Sequence, residues 1–197
     1  MDDQQVIDAT ECWIREVVVG LNLCPFAAGP LAGRRIHYQV CRETVPDAIY
    51  TALLAEFIAF LELPEDEAET GLFIVPNGLE GFETYLEVVD AADGVIGEVG
   101  LTGVIQLASF HPDYRFADTQ ADDAANYTNR SPYPMFHLIR EAAMEEALAR
   151  YPDPQTIPLR NIEALRRLGA ESMRARLAAC CTAGESSVEI NDELHCP

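Results

Sequence analysis

The sequence predicts an α/β or α+β fold, a single layered domain in which helices cover a small central sheet of about three strands. Segments with apolar residues at helical spacing alternate with short β-branched or continuous apolar segments between residues 4 and 150. The length of 197 residues and the hydrophobic fraction of 49% suit one domain with its own core. The strands are too short to show whether they run parallel.

The first half of the chain opens with a predicted helix over residues 4–19. Val6, Ala9 and Trp13 are spaced for one face of that helix, and Gly20 suits its end. A Gly/Pro-rich loop follows, and the next segment alternates as a half-buried strand does. The strands of this half are predicted at residues 36–41 and 72–75, and its further helices at residues 44–63 and 82–96.

The second half predicts one more strand, at residues 104–110, and two helical regions. Residues 111–130 form the longest stretch without a clear period, and such connections are often functional. Ser131 is the predicted N-cap of a helix that runs to about Arg150, and a last helical region is interrupted at Gly169. The domain boundaries are residues 1–180 for one globular domain and residues 181–197 for a loose polar tail.

The charge of the chain excludes several classes of function. There are 33 acidic and 13 basic residues, so the net charge is -20, which disfavours binding to nucleic acid. Every basic residue is an arginine, so no lysine can form a Schiff base or bind a phosphate.

The N-terminus and the cysteines indicate a compartment. No basic, apolar leader opens the sequence, and no apolar run approaches the roughly 20 residues that cross a membrane. Six cysteines without a secretory signal favour reduced thiols. We therefore expect a cytoplasmic protein that does not bind membranes, with its oligomeric state open.

The strongest candidate site combines His111, His137 and Glu141. His137 and Glu141 are four residues apart and share a face if the segment is helical, while His111 follows a strand. Two imidazoles and one carboxylate are a ligand set for a divalent transition metal such as iron or zinc. The alternatives are polar contacts within a pocket and an ordinary ion pair on a helix.

Cys24 is the second candidate, as a catalytic thiol or a soft metal ligand. It lies in the string Leu-Cys-Pro-Phe, which is similar to the active-site start of glutaredoxin-like domains. Position 27 is alanine, so a dithiol mechanism is excluded there. The alternative is a buried cysteine without chemistry.

The third candidate is the segment Asn129-Arg130-Ser131. A guanidinium beside a predicted helix N-terminus suits a carboxylate or phosphate, so these residues predict a site for a small anionic ligand, with Arg130 as its catalytic or anchoring cation. The same residues also serve as ordinary turn and cap residues.

Two further sets of residues carry side chains that can bind metal ions, but their surroundings in the sequence argue against metal binding. Aspartates in a loop of so acidic a chain are usually solvated, and adjacent cysteines do not match the usual spacing of zinc ligands. The sets are Asp118, Asp122 and Asp123 for a hard cation, and Cys180, Cys181, His195 and Cys196 for zinc.

Four groups of residues carry a family resemblance. They are residues 21–26 (Leu-Asn-Leu-Cys-Pro-Phe), 107–112 (Leu-Ala-Ser-Phe-His-Pro), 129–134 (Asn-Arg-Ser-Pro-Tyr-Pro) with His137, Arg140 and Glu141, and 160–162 (Arg-Asn-Ile). Together they resemble the uncharacterised bacterial family called domain of unknown function 1415 (DUF1415), over roughly residues 4–180. The resemblance implies no activity and no catalytic residue.

Three functional hypotheses follow. The first is a small-molecule enzyme whose pocket holds a divalent metal on His111, His137 and Glu141 and an anionic substrate on Arg130. The second is a metal-free thiol enzyme with Cys24 as nucleophile and His111 or His137 as its catalytic base. The third is a non-catalytic binding or assembly module, in which His137 would pair with a surface arginine.

Overall fold

The computed structural model describes residues 2–186 and shows an α+β domain around one mixed, four-stranded sheet. The layered architecture is the predicted one, with one strand more than expected. The strands are β1 (Ile36–Val40), β2 (Thr70–Ile74), β3 (Ile105–Phe110) and β4 (Met135–Arg140). The helices are α1 (Asp3–Trp13), α2 (Ala28–Gly33), α3 (Pro46–Glu62), α4 (Phe82–Glu98), α5 (Glu141–Arg150), α6 (Ile157–Leu168) and α7 (Ala170–Ser186), with a π-helix at Ile14–Val19 and 3₁₀ turns at Ala124–Thr128 and Pro154–Thr156.

The sheet has the strand order β1-β2-β4-β3. β1 and β2 run parallel, and β4 runs antiparallel to both of its neighbours, β2 and β3. In this register His137 of β4 lies opposite Leu72 of β2 and Ala108 of β3. The middle of the sheet therefore carries a histidine between two apolar neighbours.

The predicted helix from Ser131 to Arg150 is wrong over its first half. Met135–Arg140 form β4, and the helix proper, α5, covers only Glu141–Arg150. Because β4 lies between two strands, both of its edges are paired, and Phe136 and Leu138 are fully buried. Periodicity alone cannot tell whether a short apolar segment is a helix or a strand. Here the pairing and burial of a central strand decide for the strand.

The other predicted elements are confirmed to within a few residues. Asp2 and Gln5 form a capping box at the start of α1, since each side chain accepts a hydrogen bond from the other residue's backbone N–H. Gly169, at a φ of 83°, separates α6 from α7 where the break was expected. The Gly/Pro-rich segment, predicted as a loop, contains the short helix α2.

Helices cover both faces of the sheet. α3 and α4 pack on the face that carries Phe73 and Leu138, whereas α1, the π-helix and α7 pack on the face that carries Leu72 and Met135. Successive side chains of a strand point to opposite faces, so His137 lies on the α1 face with Met135.

The C-terminal part of the chain is helical further than predicted. The loose tail was expected from residue 181, but α7 continues to Ser186. The rest of that predicted tail, residues 187–197, lies outside the described residues. Among the helices of residues 2–186, none is long and apolar enough to cross a membrane.

Candidate functional site

A cavity of about 270 Å³ opens on the α1 face of the sheet and is the centre of the candidate site. Its walls come from the end of α1 and the π-helix, the segment around Cys24, all four strands and the inner side of α5. Most of the lining side chains are apolar, and the few polar ones include Cys24, Thr70 and His137. Concave, mostly apolar spaces with a few polar groups are typical of small-molecule sites.

His137 supplies a neutral imidazole to this cavity. The hydroxyl of Thr70 donates to the carbonyl of Leu138 at 2.9 Å, so it accepts from Nε2–H of His137 at 2.5 Å. This arrangement leaves the lone pair on Nδ1, which makes no hydrogen bond to any described residue. Burial lowers the pKa of His137 to about 4, so the ring is uncharged at neutral pH.

Trp13 supplies a donor without an acceptor. The side chain lines the cavity and is only 3% exposed, and its Nε1 has no hydrogen-bond partner among the described residues. The indole packs edge-on against Phe110, with 5.3 Å between the ring centroids. A buried donor left unpaired costs about 1–3 kcal/mol, and Nε1 itself has practically no accessible surface.

The π-helix continues α1 along the cavity wall. The segment Ile14–Val19 follows α1 directly, and Ile14 and Val18 both contribute to the cavity wall. A π-helix rotates the following side chains relative to an α-helix, and such segments are frequent at functional sites. The helix predicted over residues 4–19 is thus present over that range, but its second part is a π-helix rather than an α-helix.

Cys24 reaches the cavity from the segment between the π-helix and α2. Its neighbour Leu23 is fixed by Asn161 of α6, whose side-chain amide donates to the Leu23 carbonyl at 2.7 Å. Burial raises the pKa of the Cys24 thiol, and backbone hydrogen bonds from Phe26 and Ala27 to the sulfur offset part of that rise. The thiol of Cys24 is therefore protonated at neutral pH, and two backbone N–H groups beside it would donate hydrogen bonds to the thiolate form.

The cations at the edge of the cavity are already engaged. Glu69 lines the cavity and pairs with Arg35, which donates to one carboxylate oxygen at 2.8 and 3.0 Å. Arg140 also borders the cavity, but its guanidinium donates to backbone carbonyls near the end of α3. Its acceptors are the carbonyls of Phe60, Leu63 and Ala68, at 2.7–3.1 Å.

His111 lies away from the cavity, on the α4 face of the sheet. Its ring packs against Phe82 and Tyr85 of α4. Nε2 donates to the carbonyl of Leu79 at 2.9 Å, and Nδ1 accepts from the N–H of Asp113 at 3.0 Å. Burial lowers the pKa of His111, and both ring nitrogens are occupied within the protein.

The predicted metal set is therefore not assembled. Glu141 accepts from the N–H of Gly103 at 3.2 Å and is absent from the cavity wall, as is His111. Within residues 2–186, no three His, Cys, Asp or Glu side chains are grouped as metal ligands. His111, His137 and Glu141 are therefore not placed to bind one iron or zinc ion together, as the first hypothesis requires.

The predicted anion site, Asn129-Arg130-Ser131, makes contacts that hold the long loop. Arg130 donates to the carbonyls of Tyr114 and Ala121 and stacks on the ring of Tyr127. Asn129 donates to the carbonyl of Ser109 at the end of β3, and Ser131 is fully buried. A ligand-binding role for these three residues stays a prediction.

The weaker predicted sets also have structural partners. Asp123 caps the 3₁₀ turn at Ala124–Thr128 and pairs with Arg166 of α6. Cys180 contacts Cys12 of α1, while His195 and Cys196 lie outside the described residues.

Two residues of the cavity wall were not predicted as site residues from the sequence. Trp13 was assigned to a helix face, and Thr70 was not singled out at all. A single tryptophan in a chain of this length is a usable signal, but the loss of its hydrogen-bond partner is visible only in three dimensions.

The comparisons with known proteins identify the family of the chain but no activity. A family model matches residues 5–175, which is most of the chain. No curated protein and no solved structure matches the chain. The chemistry of the cavity must therefore be argued from its own residues.

Proposed function

Because the chain belongs to the family described as "Protein of unknown function (DUF1415)", we propose a function from the cavity alone: it binds a small, uncharged and largely apolar molecule. The observation that carries the proposal is the neutral His137, whose side chain lines a mostly apolar cavity. A buried acceptor of this kind orients a ligand while apolar walls supply most of the binding free energy.

The charges around the cavity favour an uncharged ligand over an anion. Arg35 is paired with Glu69, and the guanidinium of Arg140 is engaged by three carbonyls, so neither is a free receptor for a carboxylate. The lone pair on Nδ1 of His137 repels an anion, and the net charge of -20 adds to the repulsion.

We expect Ala143→Phe to weaken binding, because Ala143 of α5 lines the cavity and the added ring fills part of it. Toluene is the probe, and the fluorescence of Trp13, the single tryptophan of the chain, is the readout. Toluene should shift the emission of the unsubstituted protein and raise its Tm. In the Ala143→Phe variant the apparent affinity should fall at least about tenfold.

Ala142→Phe is the matched control for this experiment. Ala142 is the neighbour of Ala143 in α5 but is exposed and does not line the cavity. This variant should bind toluene as the unsubstituted protein does. Absence of any response to toluene in the unsubstituted protein, or equal loss in both variants, would contradict the proposal.

A second candidate function gives Cys24 a catalytic role. In it, Cys24 attacks an electrophilic carbon of the bound molecule and His137 accepts the thiol proton through Nδ1. Both residues line the same cavity, and the backbone N–H groups of Phe26 and Ala27 that hydrogen-bond to the sulfur stabilise a developing thiolate. This observation favours the thiol hypothesis over the metal one.

The thiol candidate predicts that His137→Phe slows the alkylation of Cys24 by N-methylmaleimide about 100-fold, the usual scale for removing a general base. Peptide mass spectrometry follows each cysteine separately. Cys12, which is half-buried and outside the cavity wall, is the internal control and should react equally in both proteins. Equal alkylation rates of Cys24 in the His137→Phe variant and the unsubstituted protein would contradict the catalytic role of Cys24, but not the proposed ligand binding.

A further inference from the structure

Helix α5 forms one wall of the cavity through Ala143, Met144 and Ala147. We infer that α5 is a lid, which detaches from the domain to let a ligand into the cavity and closes again over the bound molecule. This inference rests on the proposed function and adds to it the route by which the ligand enters and leaves.

The packing of α5 against the domain is weak. All ten residues of Glu141–Arg150 are at least partly exposed, whereas each of the other six α-helices described within residues 2–186 has buried residues. Ala143 and Ala147 lie four residues apart on the inner side, and both are small. A helix without a buried side chain has little hydrophobic free energy to hold it in place.

A second cavity lies between α5 and the segment that follows α3. It measures about 340 Å³, and Ala143 and Ala147 border it as they border the first cavity. The segment after α3 contributes Glu65 and Asp66 to its walls and α5 contributes Glu146, so like charges line this space. Because α5 borders open space on two sides, it can move with little loss of van der Waals contact.

Polar contacts hold α5 only at its two ends. At the first end, the N–H of Glu141 donates to the carbonyl of Val104 at 3.0 Å, and the Glu141 carboxylate accepts from the N–H of Gly103. Residues 142–150 make no hydrogen bond or ion pair with another element in the part of the chain that the structure describes. The body of the helix can therefore leave the domain without breaking a polar contact.

The first end is a hinge and the second is a latch. Arg140, directly before α5, is buried, and its guanidinium donates to three backbone carbonyls. At the second end, the ring of Tyr151 packs edge-on against Phe26, with 5.5 Å between the centroids, and its hydroxyl accepts from Arg160 of α6 at 2.8 Å. Phe26 also lines the cavity, so release of Tyr151 opens the wall at that side.

A detached α5 cannot stay helical. Isolated helices shorter than about 12–15 residues are marginal in water, and α5 has ten residues. Each opening therefore exposes the amide hydrogens of α5 to solvent. Their exchange rate consequently measures the population of the open state.

Hydrogen exchange of the full chain at neutral pH, followed by mass spectrometry, tests the lid. The amides of residues 145–150 should exchange at least about 100-fold faster than those in the middle of α4, which carries several buried residues. Because a closed lid holds the ligand, toluene at ten times its Kd should slow the exchange of α5 about tenfold. A ligand that stayed bound while α5 opened would leave this rate unchanged.

Tyr151→Ala removes the latch without altering the cavity wall, which does not include Tyr151. The variant should speed both the association and the dissociation of toluene about tenfold, because it raises the population of the open state. Stopped-flow fluorescence of Trp13 measures both rates. Arg150→Ala is the matched control: Arg150 is the exposed neighbour of Tyr151 and pairs with Glu146 of the same helix, so both rates should stay within about twofold.

The outcomes separate the lid from the proposed function. Exchange of α5 as slow as that of α4, or an exchange rate that bound toluene leaves unchanged, overturns the lid and keeps the binding function. Equal toluene kinetics in the Tyr151→Ala and Arg150→Ala variants also overturn the lid alone. Absence of any response of the unsubstituted protein to toluene overturns both, and exchange of the unsubstituted protein decides the question even if a variant does not fold.

Discussion

Oxidised glutathione is expected to join Cys12 to Cys180 and to raise the thermal stability of the protein. The sulfur of Cys12 in α1 lies 2.7 Å from that of Cys180 in α7, and the two helices pack along each other. A disulfide bond needs about 2.05 Å, so a small shift of the helices suffices. The reduced protein thus holds two thiols in contact on the face that bears the cavity.

The reaction is a two-step exchange. Burial raises the pKa of Cys180 to about 12, so Cys180 stays protonated and the half-buried Cys12 is the thiol that attacks the reagent first. Cys12 thiolate displaces one glutathione thiolate from the reagent, and Cys180, losing its proton, then displaces the second from the mixed disulfide. Two protein thiols are oxidised and one molecule of the reagent is reduced to two of glutathione.

The gain in stability follows from the length of chain that the bond closes. Cys12 and Cys180 are 168 residues apart, and closing so long a loop is worth about 5 kcal/mol in the chain-entropy model. For a chain of this size that corresponds to a rise of about 10 °C in Tm. Calorimetry of oxidised and reduced protein measures the difference.

Single-cysteine variants identify the pair. Cys12→Ser and Cys180→Ser should each prevent both the cross-link, seen as a linked peptide by mass spectrometry, and the rise in Tm. Cys181→Ser should preserve both, because the sulfur that lies 2.7 Å from that of Cys12 belongs to Cys180. Fragmentation of the linked peptide must place the bond on Cys180, and a bond between Cys12 and the adjacent Cys181 would contradict the assignment.

The second large effect is a loss of stability in acid that originates at His137. The folded-state pKa of His137 is about 4 because the ring is buried, against an ordinary value of 6.5 in the unfolded chain. Between these values the unfolded state binds a proton that the folded state does not. The free energy of unfolding therefore falls as the pH falls from about 6.5 to about 4, by about 3 kcal/mol from this group.

Urea unfolding between pH 4 and pH 7 measures this slope, and His137→Gln is the variant to compare. The pKa of His111 is also lowered by burial, so acid destabilises the protein at a second site. The difference between the two proteins isolates the contribution of His137, because His111 is present in both. Equal slopes would show that the imidazole of His137 is not held neutral by its surroundings.

Most of the fold was predictable because its signals are local. The helical spacing around Ile49 and Leu53, the strand ending at Ile74 and the break at Gly169 all depend on near neighbours in the chain. The segment Met135–Arg140 was not predictable in this way. Its state depends on pairing with two strands, one of which lies more than sixty positions earlier in the chain.

The candidate site was predictable only in part. Cys24 and His137 were chosen by their chemistry, and the structure brings both to one cavity. His111 was chosen for the same reason, but β3 ends on the α4 side, where packing against Phe82 and Tyr85 occupies it. The helical pairing of His137 with Glu141 failed because a strand separates side chains that a helix would align.

By itself the sequence determined a layered domain of helices and strands, its membership of the DUF1415 family, the order of most elements, and the absence of lysine chemistry. The tertiary structure alone decided which polar groups meet. Residue type alone does not determine whether a side chain is hydrogen-bonded or whether an imidazole is neutral. Both depend on burial and on partners that lie far away in the chain. That is why Trp13, Thr70 and His137 form one site although their spacing carries no motif.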